Sequence, residues 1–151
     1  MSYQGKNITV SLISFTVILG FYSIRILQMI WFGSFNSTNV FRLWGIVIIL
    51  SIVITIIATI LTHIGSSIVQ AVKTGEENPE VDDLEDERDK LIDLRGIKVT
   101  YIVFSMGIFL SMLTYVLGYS PLVMFSLLIF FGITGQISGD ISRLVLYRKG
   151  F

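Results

Sequence analysis

Apolar positions fill two long blocks of this chain, and one polar passage separates them. The first block runs from about Ile8 to Val72 and the second from about Ile97 to Ile141. Between them stands KTGEENPEVDDLEDERDKLIDLRGIK, residues 73–98. Each block is broken once by turn-forming residues, Gly33-Ser34-Phe35-Asn36-Ser37-Thr38-Asn39 in the first and Gly118-Tyr119-Ser120-Pro121 in the second. An apolar helix needs about 20 residues to cross the hydrocarbon core of a bilayer. The pattern therefore predicts an all-α membrane protein with four transmembrane helices, at about 8–31, 40–72, 97–117 and 122–141. They form two hairpins joined by an acidic cytoplasmic amphipathic segment, 73–96, in a single domain over 1–151.

The second span is long enough to tilt or to emerge from the membrane at its end, and Gly75 and Pro79 stop it. From Pro79 the polar passage takes on helical periodicity. Val81, Leu84, Arg88, Leu91, Ile92 and Arg95 recur at three- and four-residue steps, and Asp86 stands four residues before Lys90. This amphipathic helix is expected to feed directly into the third span. Trp31, Phe32 and Phe35 end the first span, where aromatic rings favour the interface. Pro121 suits the first turn of the fourth helix. The N-terminal MSYQGKNITV is too polar and too weakly basic for a signal n-region, so the first span is expected to be retained.

Composition agrees with this pattern. The hydrophobic fraction is 53%, the mean hydropathy +0.78 and the net charge zero. The balance hides a segregation. Ten of the eleven carboxylates lie in residues 73–98 against Lys73, Arg88, Lys90, Arg95 and Lys98, a local net charge of −5. Such a segment repels a phosphate backbone, which argues against nucleic-acid binding, and an anionic lipid surface as well. It should arch away from the membrane as a solvated loop or fold onto something basic, and the nearest such surface is the chain's own tail, Arg143, Arg148 and Lys149. With both termini in the cytoplasm, nine of the eleven lysines and arginines fall on that side and only Arg25 and Arg42 fall outside. That is the positive-inside arrangement of a cytoplasmic (inner) cell membrane. The chain has no cysteine.

Small and polar residues form one stripe on each of three helices. The second carries Ser51, Thr55, Thr59, Thr62, Ser66 and Gln70. The third carries Thr100, Gly107, Ser111, Thr114 and Gly118, and the fourth Gly132, Gln136, Gly139, Asp140 and Arg143. These faces are expected to meet in a four-helix bundle. Gly135 and Gly139 form a GxxxG, which also allows a homodimer seam.

Few side chains suggest chemistry. Asp140 is a carboxylate near the inner boundary of its span, roughly 28 Å of helix beyond Pro121, and Arg143 one turn on can pair with it. Gln136 lies one turn deeper and needs a partner, expected to be a serine or threonine of another helix. Arg25 can snorkel to the outer interface. His63 has no second ligand at metal spacing, and with Ser66 and Ser67 it lacks the motif of a hydrolase. Asn36-Ser37-Thr38 fits a glycosylation triplet, which matters only in a secretory pathway. No metal, cofactor or enzymatic activity is expected.

The run Leu84–Ser105, with Asp86, Glu87, Arg88, Asp89, Ile92 and Arg95, resembles a family of small prokaryotic membrane proteins of unknown function. These carry an Asp-Glu-Arg-Asp run and then an arginine shortly before a hydrophobic span. They often end in a Tyr-Arg-Arg-Gly-like tail, matched here by Tyr147, Arg148, Lys149 and Gly150, with lysine for the second arginine. The resemblance covers roughly the C-terminal half. It implies four helices in a prokaryotic cell membrane and, because such proteins are often encoded beside a helix-turn-helix repressor, membrane-linked regulation or stress response. It carries over no catalytic residue.

The expected function is regulatory, sensory or accessory, exerted by contact with a cytoplasmic or membrane protein through Arg88, Asp89, Ile92 and Arg95 with Arg148 beside them. The alternative is a small dimeric transporter or channel, with Gln136, Asp140 and Arg143 lining a polar path.

Overall fold

The computed structural model describes the backbone of residues 3–74 and 87–149, and the side chains of 7–57, 60 and 87–149. It is all-helical over these residues: α1 Tyr3–Trp31, α2 Ser37–Thr74, α3 Glu87–Val116 and α4 Pro121–Arg148. Each helix contains a stretch long and apolar enough to cross a membrane. At 28 to 38 residues each is roughly 42–57 Å long, more than the ~30 Å hydrocarbon core, so polar ends extend beyond the apolar stretch.

Local chemistry explains the boundaries. α1 and α3 end in the same way. Gly33 (φ 66°) and Gly118 (φ 89°) adopt the left-handed conformation that glycine takes without strain. After each, an amide reaches five residues back, Ser34 N to Met29 O at 2.9 Å and Tyr119 N to Thr114 O at 3.1 Å. This is the Schellman closure. α2 begins at Ser37, earlier than its apolar run, because the Asn36 side chain accepts from Asn39 N at 3.0 Å and caps the helix. α4 is capped by Ser120, which accepts from Leu122 N, and Pro121 opens it. α3 is a single helix from Glu87, so the charged residues 87–96 and the third apolar stretch form one rod, as expected from the periodicity. Residues 75–86, which hold most of the acidic passage, lie outside the described residues, as do the side chains of His63, Ser66, Ser67 and Gln70.

Packing departs from the expected bundle. Among the described residues α3 packs on α4 alone. α4 also packs on α1, α1 on α2, and α2 touches α4 lightly. The contact pairs Ser11–Asp140 and Tyr22–Ser126 make α1 and α4 antiparallel, and Gly107–Phe131 with Gly96–Arg143 does the same for α3 and α4. α4 is thus the shared spine. The small-residue faces of α3 and α4 do meet. Of the α2 stripe, the side chains of Ser51 and Thr55 are described, while those of Thr59, Thr62, Ser66 and Gln70 lie outside the described residues. Ser51 and Thr55 donate back along their own helix, to Val47 O and Ser51 O, which satisfies each hydroxyl locally.

Glycines set the closeness of α3 to α4. A Cβ on Gly139 would strike Thr100 Oγ1 and come within 3.0 Å of the Gly96 carbonyl, and one on Gly135 would lie 3.2 Å from the Thr100 carbonyl. The close approach that Gly135 and Gly139 permit is therefore taken up inside one chain by α3.

The apolar core is small. Ile18, Tyr22, Leu43, Val47 and Ile133 are buried together, and the Tyr22 hydroxyl donates to the Ser126 carbonyl at 2.9 Å. The outward faces are apolar instead, with Val17 64%, Leu27 62%, Tyr101 72% and Phe109 68% exposed. A soluble domain rarely exposes contiguous apolar surface on this scale, whereas a lipid-facing surface is expected to.

Candidate functional site

The antiparallel packing brings one end of each helix together: the N-terminal parts of α1 and α3 and the C-terminal parts of α2 and α4. Asp140 sits there, 2% exposed, and is the only buried carboxylate among the described residues. A buried charge must be paired and hydrogen-bonded to persist. Here α1 and α4 supply the partners. Ser11 Oγ donates to Oδ2 at 2.7 Å, while Arg143 Nη1 and Gln136 Nε2 donate to Oδ1 at 2.9 and 3.3 Å. Arg143, three residues on, is the pairing read from the spacing. Gln136 corrects an expectation. Its amide turns to Asp140 on its own helix, one turn away, and not to a serine or threonine of a neighbour.

Arg143 reaches in two directions. Its Nε also donates to Asp93 Oδ1 at 2.8 Å, so one guanidinium bridges α4 and α3. Its side chain is 13% exposed, against 59% for Asp93, which places the bridge at the edge of the buried network. Gly96 makes this possible, because a Cβ there would collide with the Arg143 side chain. One turn further out, Tyr147 OH donates to Asp89 Oδ1 at 2.9 Å. The charged start of α3 is therefore latched to the end of α4 by Arg143 and Tyr147. Contact between the acidic passage and the tail occurs through Arg143, one of the three expected cations, whereas Arg148 and Lys149 are exposed.

These groups line a cleft of about 600 Å³, with walls from all four helices. Asn7, Ser11 and Ser14 come from α1, Ile54 and Thr55 from α2, Asp89 and Asp93 from α3, and Gln136, Asp140 and Arg143 from α4. It holds three carboxylates and one guanidinium, and its floor is the Asp140 network. Models of protein families, curated proteins and solved structures yield no match to this chain. The site is read from its own chemistry.

The expected contact residues separate. Arg88 and Arg95 are exposed, Asp89 is half-buried against Tyr147, and Ile92 is fully buried at 0% exposure. Ile92 therefore packs inside the chain and is not a surface contact. Its three- and four-residue spacing from Arg88 and Arg95 suggested one face, but α3 turns that face edge-on to the cleft. Ser11 and Asp93 gave no sign of their roles in the sequence. Ser11 meets Asp140 across 129 positions, and Asp93 is one carboxylate among many in a charged run. The one available signal for Asp93 was Gly96, a small residue one turn after it. Among the described residues no group of three or more histidines and carboxylates is placed to hold a metal ion.

Proposed function

We propose that this chain is a multi-pass protein of a prokaryotic cytoplasmic membrane, with both termini inside, that serves as a regulatory, sensory or accessory subunit. It acts through protein contact at its charged end and performs no catalysis. Four apolar helices with lipid-like outer faces support the membrane assignment. The observation that carries the functional reading is how α3 is held. It is one rod from the charged passage to the opposite end, it leans on α4 alone among the described residues, and Arg143 and Tyr147 latch its charged end. A partner that competes for Asp89 or Asp93 would free that end, and a rigid helix passes the displacement along its length. Exposed Arg88, Arg95 and Arg148 offer the first contacts.

Copurification from gently solubilised membranes tests this. A specific partner should be retained by the wild type and lost from the Arg88→Glu/Arg95→Glu variant. An unchanged set of copurifying proteins would overturn the reading. A tag between Glu77 and Glu80 should react with an impermeant reagent only after the membrane is opened.

The cleft favours a second reading, a small transporter or channel with its path at Gln136, Asp140 and Arg143. Because α3 occupies Gly135 and Gly139, a dimer of this kind would need another seam, such as the exposed face of α3. In reconstituted vesicles this reading requires pH-dependent uptake that Asp140→Asn abolishes while the protein stays folded.

A further inference from the structure

The far end of the molecule, where α1 turns into α2 and α3 into α4, has a charge pattern of its own. Neither residues 1–75 nor residues 94–139 contain an aspartate or glutamate. Arg25 and Arg42 nevertheless stand there, and both line one cavity of about 520 Å³ between α1 and α2. Its other polar walls are Gln28, Ser34 and Asn39, and its apolar walls include Phe21, Phe32 and Ile46. The second cavity thus gathers two guanidinium groups with no carboxylate among the described residues that line it.

The protein groups nearby use little of this donor capacity. Arg25 Nη1 donates to Gln28 Oε1 at 3.3 Å, one of the five donors a guanidinium carries. The Asn39 amide is committed to the Ser34 carbonyl at 2.9 Å, so it shapes the loop wall. Height along the helices matters as well. Arg25 lies roughly 9 Å before the end of α1 at Trp31, and Arg42 roughly 7 Å into α2, so both side chains start at about the same level below the turn. Trp31 and Phe32, 89% and 82% exposed, mark the turn just beyond as the interface, toward which both arginines can snorkel. Phospholipid phosphates lie in this layer, and arginine binds phosphate with a planar two-donor fork.

We propose that the cavity at Arg25 and Arg42 binds the phosphate of a membrane phospholipid headgroup, with the acyl chains along the apolar flank of α1 and α2. Charge complementarity selects the phosphate. The apolar walls, together with Ile24 and Phe41 at 58% and 49% exposure, favour a lipid over a free anion. The site rests on the membrane assignment of the four helices and is independent of the contact surface at the charged end.

The test uses the full chain in detergent, with short-chain phosphatidylglycerol as the probe and native mass spectrometry and thermal unfolding as readouts. One saturable lipid adduct and a rise in Tm are expected. Affinity should fall at least tenfold in Arg25→Gln/Arg42→Gln, stay unchanged in Arg148→Gln, and be intermediate in Arg25→Lys/Arg42→Lys. Both arginines are exposed, so the variants should fold, and circular dichroism checks this. Equal binding by the glutamine variant would overturn the site. An equal Tm rise with inorganic phosphate at the same concentration would overturn the lipid as its occupant. A chain that stays dispersed without detergent would sink this site and the membrane assignment together, whereas a lipid adduct indifferent to the arginines would sink the site alone.

Discussion

The two ends of this helical assembly handle charge in opposite ways. At the Asp140 end, acid and base answer each other within the chain: Arg143 holds Asp140 and Asp93, Ser11 and Gln136 complete the buried carboxylate, and Tyr147 holds Asp89. At the far end, Arg25 and Arg42 share a cavity in a region whose sequence contains no acid. A network satisfied from within holds helices together, since removing any member strands the others. Cations without an internal counter-ion add little to that hold, and their chemistry is directed at what surrounds the protein. Stability should therefore be concentrated at the first end and recognition should be available at both.

The largest effect expected from this contrast follows Asp140→Ala. It removes the acceptor of Ser11, Gln136 and one arm of Arg143, which keeps its bond to Asp93. Hydrogen bonds to a charged group are worth about 1.5–3 kcal/mol each, so the loss should be about 3 kcal/mol or more. Equilibrium unfolding in mixed detergent measures it, and a loss below ~1 kcal/mol would mean that the network is not what holds α1 to α4. Gly139→Leu comes next. It forces a side chain into Thr100 and the Gly96 carbonyl, and overpacking of this kind costs about 1–3 kcal/mol. Crosslinking of cysteines introduced at Asp93 and Tyr147 should fall in parallel as α3 is pushed off α4. Tyr147→Phe removes the hydroxyl's hydrogen bond to Asp89 and should cost about 1 kcal/mol. In hydrogen exchange it should expose the first turns of α3 before the rest. The smallest effect belongs to the other end. Arg25→Gln/Arg42→Gln should change unfolding in lipid-free detergent by less than ~0.5 kcal/mol. A large loss there would erase the distinction between the two ends.

Much of this was legible in the sequence. Four apolar runs and the two glycine-bearing turns located all four helices, because a helix is built from bonds between near neighbours, although α3 begins ten residues before the span 97–117 and α4 ends seven residues after the span 122–141. The Asp140–Arg143 pair was legible for the same reason. The stripes were only half informative. They marked faces that accept close approach, yet Ser51 and Thr55 of α2 donate to carbonyls of their own helix, so a polar stripe did not reveal whether another helix lies on it. Ile92 misled because periodicity locates a face of a helix but not which neighbour covers it.

Tertiary structure alone decided the rest. The chain by itself determined that it makes four long apolar helices with ten of its eleven acidic residues in one stretch, since both are properties of consecutive residues. It did not determine that α4 would be the spine, that α3 would lean on one neighbour, or that a serine near the start of the chain would close the site around Asp140. Those facts depend on groups as far as 129 residues apart coming within hydrogen-bonding distance. Such meetings are settled by the fit of whole helix faces, to which no single stretch of sequence has access.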